Sequence, residues 1–293
     1  VSDATRYDAV VIGGGHNGLT AACMLAKRDK RVVVLERRDH LGGLCAGEEF
    51  HPGYRHDGVL HDTAGVRPSV VAALGLREHG LDLGPVPPVW VPAAGGGLLL
   101  PFDPDAAATE IARVSQRDAE RYREFHAFIG RVRGVVAGLM NEIPPDLMRD
   151  GSPDLATLLR LGLTGLSVRR LGRRDMMELM RVPPMCVADW LNEWFETDAV
   201  KVALAAPAIT GTWCGPWSPG TAANLLLWAC TAERAVVGGP AALVASLERA
   251  ARHLGVEMRT GAAVRTIAVE GGRVTAVELE GGEQVAAATV LAS

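Results

Sequence analysis

The 293-residue sequence contains no uninterrupted apolar run of about 18 residues, the length that a bilayer-spanning helix requires. Its first seven residues, Val1 to Tyr7, do not form the apolar core of a signal peptide, so a cytoplasmic location with at most peripheral membrane contact is expected. Cysteine is sparse: Cys23, Cys45, Cys186, Cys214 and Cys230 are an odd set with no C-x-x-C pair, which fits isolated thiols in a reducing compartment rather than a disulfide framework. Positive charge is not in excess. With 30 Lys plus Arg against 34 Asp plus Glu, the net charge is -4 and no basic field exists to hold nucleic acid. The N-terminal glycine loop is not followed by Gly-Lys-Ser/Thr, which excludes a lysine-armed triphosphate loop. What is present, 48% apolar and 22% charged residues, is the composition of a folded globular chain.

The chain opens with a βαβ pattern. Tyr7 to Ile12 and Arg31 to Glu36 are short β-branched runs, and Asn17 to Arg28 between them has helical spacing. Their continuous Val and Ile, without alternation, suit a parallel sheet covered on both faces. Proline at the first turn and Gly75 at the end mark a helix at 68–74, and Gly95-Gly96-Gly97 predicts a hairpin turn between strands at 86–91 and 98–102. From Asp103 to about Trp228 helical spacing dominates, with Ser115-Gln-Arg-Asp118 as a capping box opening a long helix toward Met140 and further helices expected at 154–166, 173–181, 198–206 and 219–231. The α/β rhythm returns after residue 235, with a helix at 241–254 and strands near 256–259, 263–269, 273–280 and 284–291. The expected fold is α/β: a Rossmann-like domain from residues 1–85 and 236–293, interrupted by a mainly helical substrate domain at 86–235. The last apolar run, Ala288 to Leu291, meets Ser293 without a closing element. A C-terminal part, supplied by a missing segment or a partner chain, is therefore expected to complete the fold.

The chemistry resides in the glycines. Gly13-Gly14-Gly15-His16-Asn17-Gly18 is G-x-G-x-x-G placed between a predicted strand and a predicted helix. There the first glycine permits a tight turn, Gly15 admits a pyrophosphate to the backbone, Gly18 allows close helix packing, and the helix N-terminus faces the anion. Glu36 ends the second strand, where a carboxylate can accept both hydroxyls of an adenosine ribose. Arg37 and Arg38 either lie beside that ribose or simply face solvent, and Glu36 would repel the extra phosphate of NADP. The doublet Gly42-Gly43 lets the backbone run beneath a pyrophosphate and ribityl chain, which favours FAD over NAD.

These residues, together with Gly-His-Asn-Gly at 15–18, a weaker match at Gly53 to Gly58 and a stronger one again at Gly238 to Leu243, resemble the phytoene desaturase-like branch of the FAD-dependent amine oxidase superfamily. Within it the chain is similar to the pyridine nucleotide-disulphide oxidoreductase domain-containing proteins. The resemblance implies FAD as cofactor, Gly13, Gly14, Gly15, His16, Asn17, Gly18, Glu36, Arg37, Gly42 and Gly43 around it, and the backbone of Val264 against the adenine. It also implies a small apolar substrate, such as a polyene, handled in the helical block. No catalytic residue is assigned. Flavin carries the electrons, so hydride transfer in desaturation, saturation or isomerisation needs no nucleophile or metal. An amine or amino-acid oxidase on the same frame, and a non-catalytic flavin-binding protein, are the alternatives.

Other features are read more plainly. Cys45 lacks a partner at position 50, which is Phe50, and is expected to pack as a small apolar side chain. His51, His56, Asp57, His61 and Asp62 are spaced wrongly for one metal. Trp190, Trp194, Trp213, Trp217 and Trp228 are expected in the core or on a substrate wall. Leu155 to Met180 mixes leucines with Arg160, Arg169, Arg170, Arg173 and Arg174, a pattern that suits a solvated helix or anionic lipid.

Overall fold

A computed structural model describes residues 7–57, 59–60, 62–93, 96–142 and 155–293. The chain divides into two compact units, one of residues up to Gly84 together with Arg234–Ser293 and the other Pro85–Glu233. The first unit starts with β1 (Tyr7–Ile12), α1 (His16–Ala26) and β2 (Val32–Leu35), then an exposed hairpin of β3 (Glu48–His51) and β4 (Tyr54–His56). Next come α2 (Pro68–Leu74), which starts on proline and ends on Gly75 at φ 61°, and β5 (Leu83–Gly84).

The second unit is mainly helical. Its hairpin, β6 (Val89–Ala93) and β7 (Gly96–Leu100), pairs Val89 with Leu100 and Ala93 with Gly96. Gly96 and Gly97 thus belong to the strand rather than to the expected turn. A Cβ on Gly97 would lie 2.5 Å from the Trp90 ring, so that glycine makes room for a cross-strand indole. Gly95 lies outside the described residues. Then follow α3 (Pro104–Ala112), α4 (Gln116–Asn141), α5 (Leu155–Arg170), α6 (Gly172–Arg181), α7 (Val187–Trp194), α8 (Asp198–Ile209) and α9 (Thr221–Thr231). α4 organises this unit because Tyr122, Phe125, Ile129, Val132 and Val136 recur at helical spacing and are all buried. Phe125 holds the rings of Trp190, Trp194 and Phe195 with centroids 5.2 to 5.7 Å away.

Ser115 caps α4 by accepting from the Asp118 N–H at 3.1 Å, but the other half of the expected capping box is absent. The buried Asp118 carboxylate accepts instead from the N–H groups of Glu196 (3.0 Å) and Thr197 (2.8 Å), fastening the turn between α7 and α8. Burial pushes its pKa up, and those backbone hydrogen bonds with the nearby Arg117 outweigh that push and hold it below the usual carboxylate value.

The chain then re-enters the first unit through β8 (Ala235–Val236), α10 (Gly239–His253), β9 (Glu257–Arg259), β10 (Val264–Glu270), β11 (Arg273–Leu279) and β12 (Gln284–Ala292). β8 pairs with β5, and Thr63 Oγ1 accepts from the Val236 N–H at 2.9 Å. The main sheet has the order β10-β11-β12-β1-β2-β9. β12, β1, β2 and β9 run parallel, while β10, β11 and the start of β12 form an antiparallel meander. Both faces are covered, as the β-branched runs require. Ala9, Val11, Val32 and Val34 pack against Leu19, Ala22 and Cys23 of α1 and Leu243 and Leu247 of α10. Val10, Val33 and Leu35 pack on the opposite face with Val277, Leu279, Val285 and Ala287. The α/β fold with a helical insertion is therefore the one observed. Among the described residues no helix is long and apolar enough to cross a membrane.

Candidate dinucleotide site

The glycine loop leaves the carboxyl end of β1, the central strand, and enters α1, so it lies where open α/β sheets place their ligands. Its four glycines differ in why they must be glycine. Gly13 has φ 101° and a Cβ there would lie 2.9 Å from the Ser293 carbonyl oxygen. A Cβ on Gly14 would come within 2.4 Å of Leu41 Cδ2, and one on Gly18 within 2.1 Å of the Gly13 carbonyl oxygen. The protein's own backbone demands Gly13 and Gly18, whereas the Leu41 methyl beside Gly14 is the end of a flexible side chain that can move aside. Gly15 is different: its φ of -73° and ψ of 175° suit any residue, and the nearest atom to an added Cβ is Gly43 Cα at an ordinary 3.8 Å. Nothing internal forbids a side chain there.

The second glycine doublet is built onto the first loop. The Gly42 N–H donates to the Gly14 carbonyl at 2.8 Å, and Gly42 and Gly15 are bridged as parallel strand neighbours. Gly42 needs its φ of 119°, and a Cβ on it would press on Ala46 at 2.8 Å. Gly43, at φ 57°, turns its bare face to Gly15. Leu41 and Ala46 thus shape the loop, which spacing alone does not reveal because each acts by filling space beside a glycine.

Glu36 is buried at the end of β2. One carboxylate oxygen accepts from the Gly14 N–H at 2.7 Å and the other from the Arg38 N–H at 3.0 Å. The carboxylate therefore holds the loop as well as presenting acceptor lone pairs, since each oxygen has a second one. The Arg37 and Arg38 side chains are exposed. Gly261 and Ala262 donate their N–H groups to the carbonyls of Arg38 and Glu36, at 2.7 and 2.8 Å. Val264, half-buried at the start of β10, follows two residues later, so the structure ties its segment to the Glu36 end of the sheet.

The N-terminus of α1 has no side-chain cap at Gly15 and no acidic residue in its first turn. It therefore presents backbone N–H groups and the positive end of the helix dipole. Asn17 is exposed there. His16 is half-buried and its Nδ1 lies 3.3 Å from Cys45 Sγ. Burial lowers the His16 pKa and raises that of Cys45, so at neutral pH the two are an uncharged imidazole and thiol. Cys45 is buried and Phe50 is exposed, so the thiol packs rather than forming half of a redox pair. These donors, the bare Gly15–Gly43 approach and the ribose-side carboxylate fit the adenosine and pyrophosphate of a dinucleotide.

The remaining expected features are spread out. Gly58 and His61 lie outside the described residues. Among the described residues, no group of three His, Cys, Asp or Glu side chains gathers to hold a metal. Asp57 sets its carboxylate against Gly239, at the start of α10, where an added Cβ would be 3.2 Å away. Trp190 is fully buried and Trp194 and Trp228 pack against the same core, whereas Trp213 and Trp217 are exposed.

Residues 11–80 match the family described as NAD(P)-binding Rossmann-like domain. Pyridine nucleotide-disulfide oxidoreductase domain-containing protein 2 of Rattus norvegicus is 30% identical over 98% of this chain and 53% of its own length. Hydroxyneurosporene desaturase of Cereibacter sphaeroides is 29% identical over 95% of this chain and 54% of its own. The solved structure of putrescine oxidase bound to putrescine shares the fold, with a TM-score of 0.56 and 18% identity over 98% of this chain and 58% of that one. The chain spans about half the length of the curated relatives it matches. Residues 11–80 thus carry the match to an NAD(P)-binding Rossmann-like domain, and the chain over nearly its whole length is similar to pyridine nucleotide-disulfide oxidoreductase domain-containing protein 2 and hydroxyneurosporene desaturase.

Proposed function

We propose that this chain binds FAD and serves an oxidoreductase that transfers hydride between a carbon of an apolar, polyene-like substrate and the flavin. The observation that carries the reading is Gly15. Gly13 and Gly18 are glycine because an added Cβ would collide with backbone, whereas at Gly15, at the uncapped end of α1, an added Cβ would meet only an ordinary 3.8 Å contact with Gly43. A residue kept bare without internal need is accounted for by a ligand that comes as close as backbone. FAD, when bound, supplies the two-electron chemistry. The chain's part is to seat the pyrophosphate on the α1 N–H groups, orient the ribose with Glu36 and hold the adenine end near Val264. The desaturase among the relatives supports an apolar substrate.

The test is Gly15→Ala. Its backbone angles accept alanine, so stability should be unchanged or about 0.4 to 1 kcal/mol higher by denaturant titration. FAD affinity, followed by flavin fluorescence, should fall at least tenfold. A folded variant that binds FAD like the parent, or a parent that binds NADH in preference to FAD, overturns the reading.

A further inference from the structure

α5 is built inside out. The side chains it half-buries are Thr157, Thr164, Ser167 and Val168, and Thr164 and Ser167 line an open groove against Gly134 and Gly138 of α4. None of its residues is fully buried. All six of its leucines are exposed: Leu155, Leu158, Leu159 and Leu166 at 83, 50, 64 and 42% outside the groove, Leu163 at 59% on the groove's rim, and Leu161 at 40%. At 100° per residue the four outside the groove fall within an arc of about 100°. A leucine face turned outward while hydroxyls are turned inward is not used by the interior of this unit.

The charges around that face are of one sign. Arg169 and Arg170 close α5, and Arg173 and Arg174 open α6, all exposed. From Leu155 to Met180 the acids are Asp175, which is buried and paired with Arg131 of α4, and Glu178, which is paired with Arg181. Arg160, farther along, is paired with Glu142 at 3.2 Å. One and two turns beyond Arg173, Met177 and Met180 are 58 and 69% exposed. We infer that α5 and the start of α6 form an interfacial anchor that lies on an anionic lipid bilayer, leucines and methionines in the acyl boundary and the four arginines at the headgroups. The 16 residues of α5 extend about 24 Å, too short and too charged to span, but suited to lying in the plane of the interface. A second copy of the chain on the same face would bring four arginines against four, which disfavours self-association. The inference is independent of the flavin assignment.

The test uses the whole chain in sedimentation with phosphatidylcholine vesicles, with and without phosphatidylserine. Binding should appear with phosphatidylserine, weaken as salt is raised, and be at least tenfold lower on phosphatidylcholine alone. Changing Arg169, Arg170, Arg173 and Arg174 to Gln should reduce it about fivefold per arginine. Leu155, Leu159 and Leu163 changed to Ser should abolish it while circular dichroism stays that of the parent. No binding to either vesicle, equal binding to both, or binding that survives both sets of changes overturns the inference. So does a dimer in light scattering that the serine changes dissolve. Should the serine variant fail to fold, the arginine variant decides, since its side chains are exposed.

Discussion

The glycine loop and α5 differ in how far the fold itself uses the identity of each residue. In the loop, Gly13 and Gly18 are demanded at ångström precision by the Ser293 carbonyl and the loop's own carbonyl. In α5 all six leucines are left exposed, although α4, in the same unit, buries Phe125, Phe128, Ile129, Val132 and Val136. Hydrophobicity therefore does not by itself locate a core, and glycine does not by itself locate a ligand. What separates the cases is whether anything inside the protein answers to the residue. Gly15 and the α5 leucines fall on the unanswered side, and each is assigned here to something outside the chain.

The sharpest break of this contrast is Gly18→Ala, where the new Cβ meets backbone 2.1 Å away and neither β1 nor α1 can give. A loss of about 4 kcal/mol, or of the fold altogether, is expected in denaturant unfolding. If it is as stable as Gly15→Ala, the division of the glycines fails. Next comes Ile129→Ala on α4, 2% exposed, which should cost about 2 to 5 kcal/mol through the cavity it leaves.

Smaller effects follow. Glu36→Ala removes the acceptor of the Gly14 and Arg38 N–H groups and should weaken FAD binding by about 1.5 to 3 kcal/mol in a titration. Asp118→Asn should cost about 1 to 3 kcal/mol. Because the native pKa of Asp118 is lowered, its contribution is fully present above about pH 4 and is lost as pH falls through the lowered native value. Urea midpoints measured from neutral pH downward should therefore fall less steeply in the variant than in the parent. The smallest effect is Leu159→Ala on α5, within about 0.5 kcal/mol of the parent, since the residue is exposed. A loss like that of Ile129→Ala would show that the α5 face is packed after all.

The parts legible in the sequence are those with local signals. The runs at 7–12 and 31–36 and the helical spacing between them foretell β1, α1 and β2 because both strands are buried on two faces. The hairpin of β3 and β4 escapes notice because every residue in it is exposed, so no alternation marks it. α7 is missed for another reason: Cys186 offers no side-chain cap and Phe195 ends the helix without glycine or proline. Asp118 reads as a local cap, yet its partners lie 78 and 79 residues away. At the site, spacing finds the glycines and Glu36. It cannot tell Gly15 from Gly18, because the difference depends on how closely the Gly13 carbonyl and Gly43 approach each of them.

β12 sets the order of events during synthesis. Tyr7 pairs with Ala287, about 280 residues further on, so β1 leaves the ribosome long before one of its two neighbours exists. At roughly 5 to 20 residues per second that interval is about 15 to 55 s. Throughout it one edge of β1, carrying Val10 and Val11, is an open template for foreign strands. The contiguous Pro85–Glu233 unit needs no such wait and can fold while the sheet is still incomplete. Production of this chain should accordingly depend on chaperone supply and benefit from slower growth, with the nascent sheet as the part that aggregates.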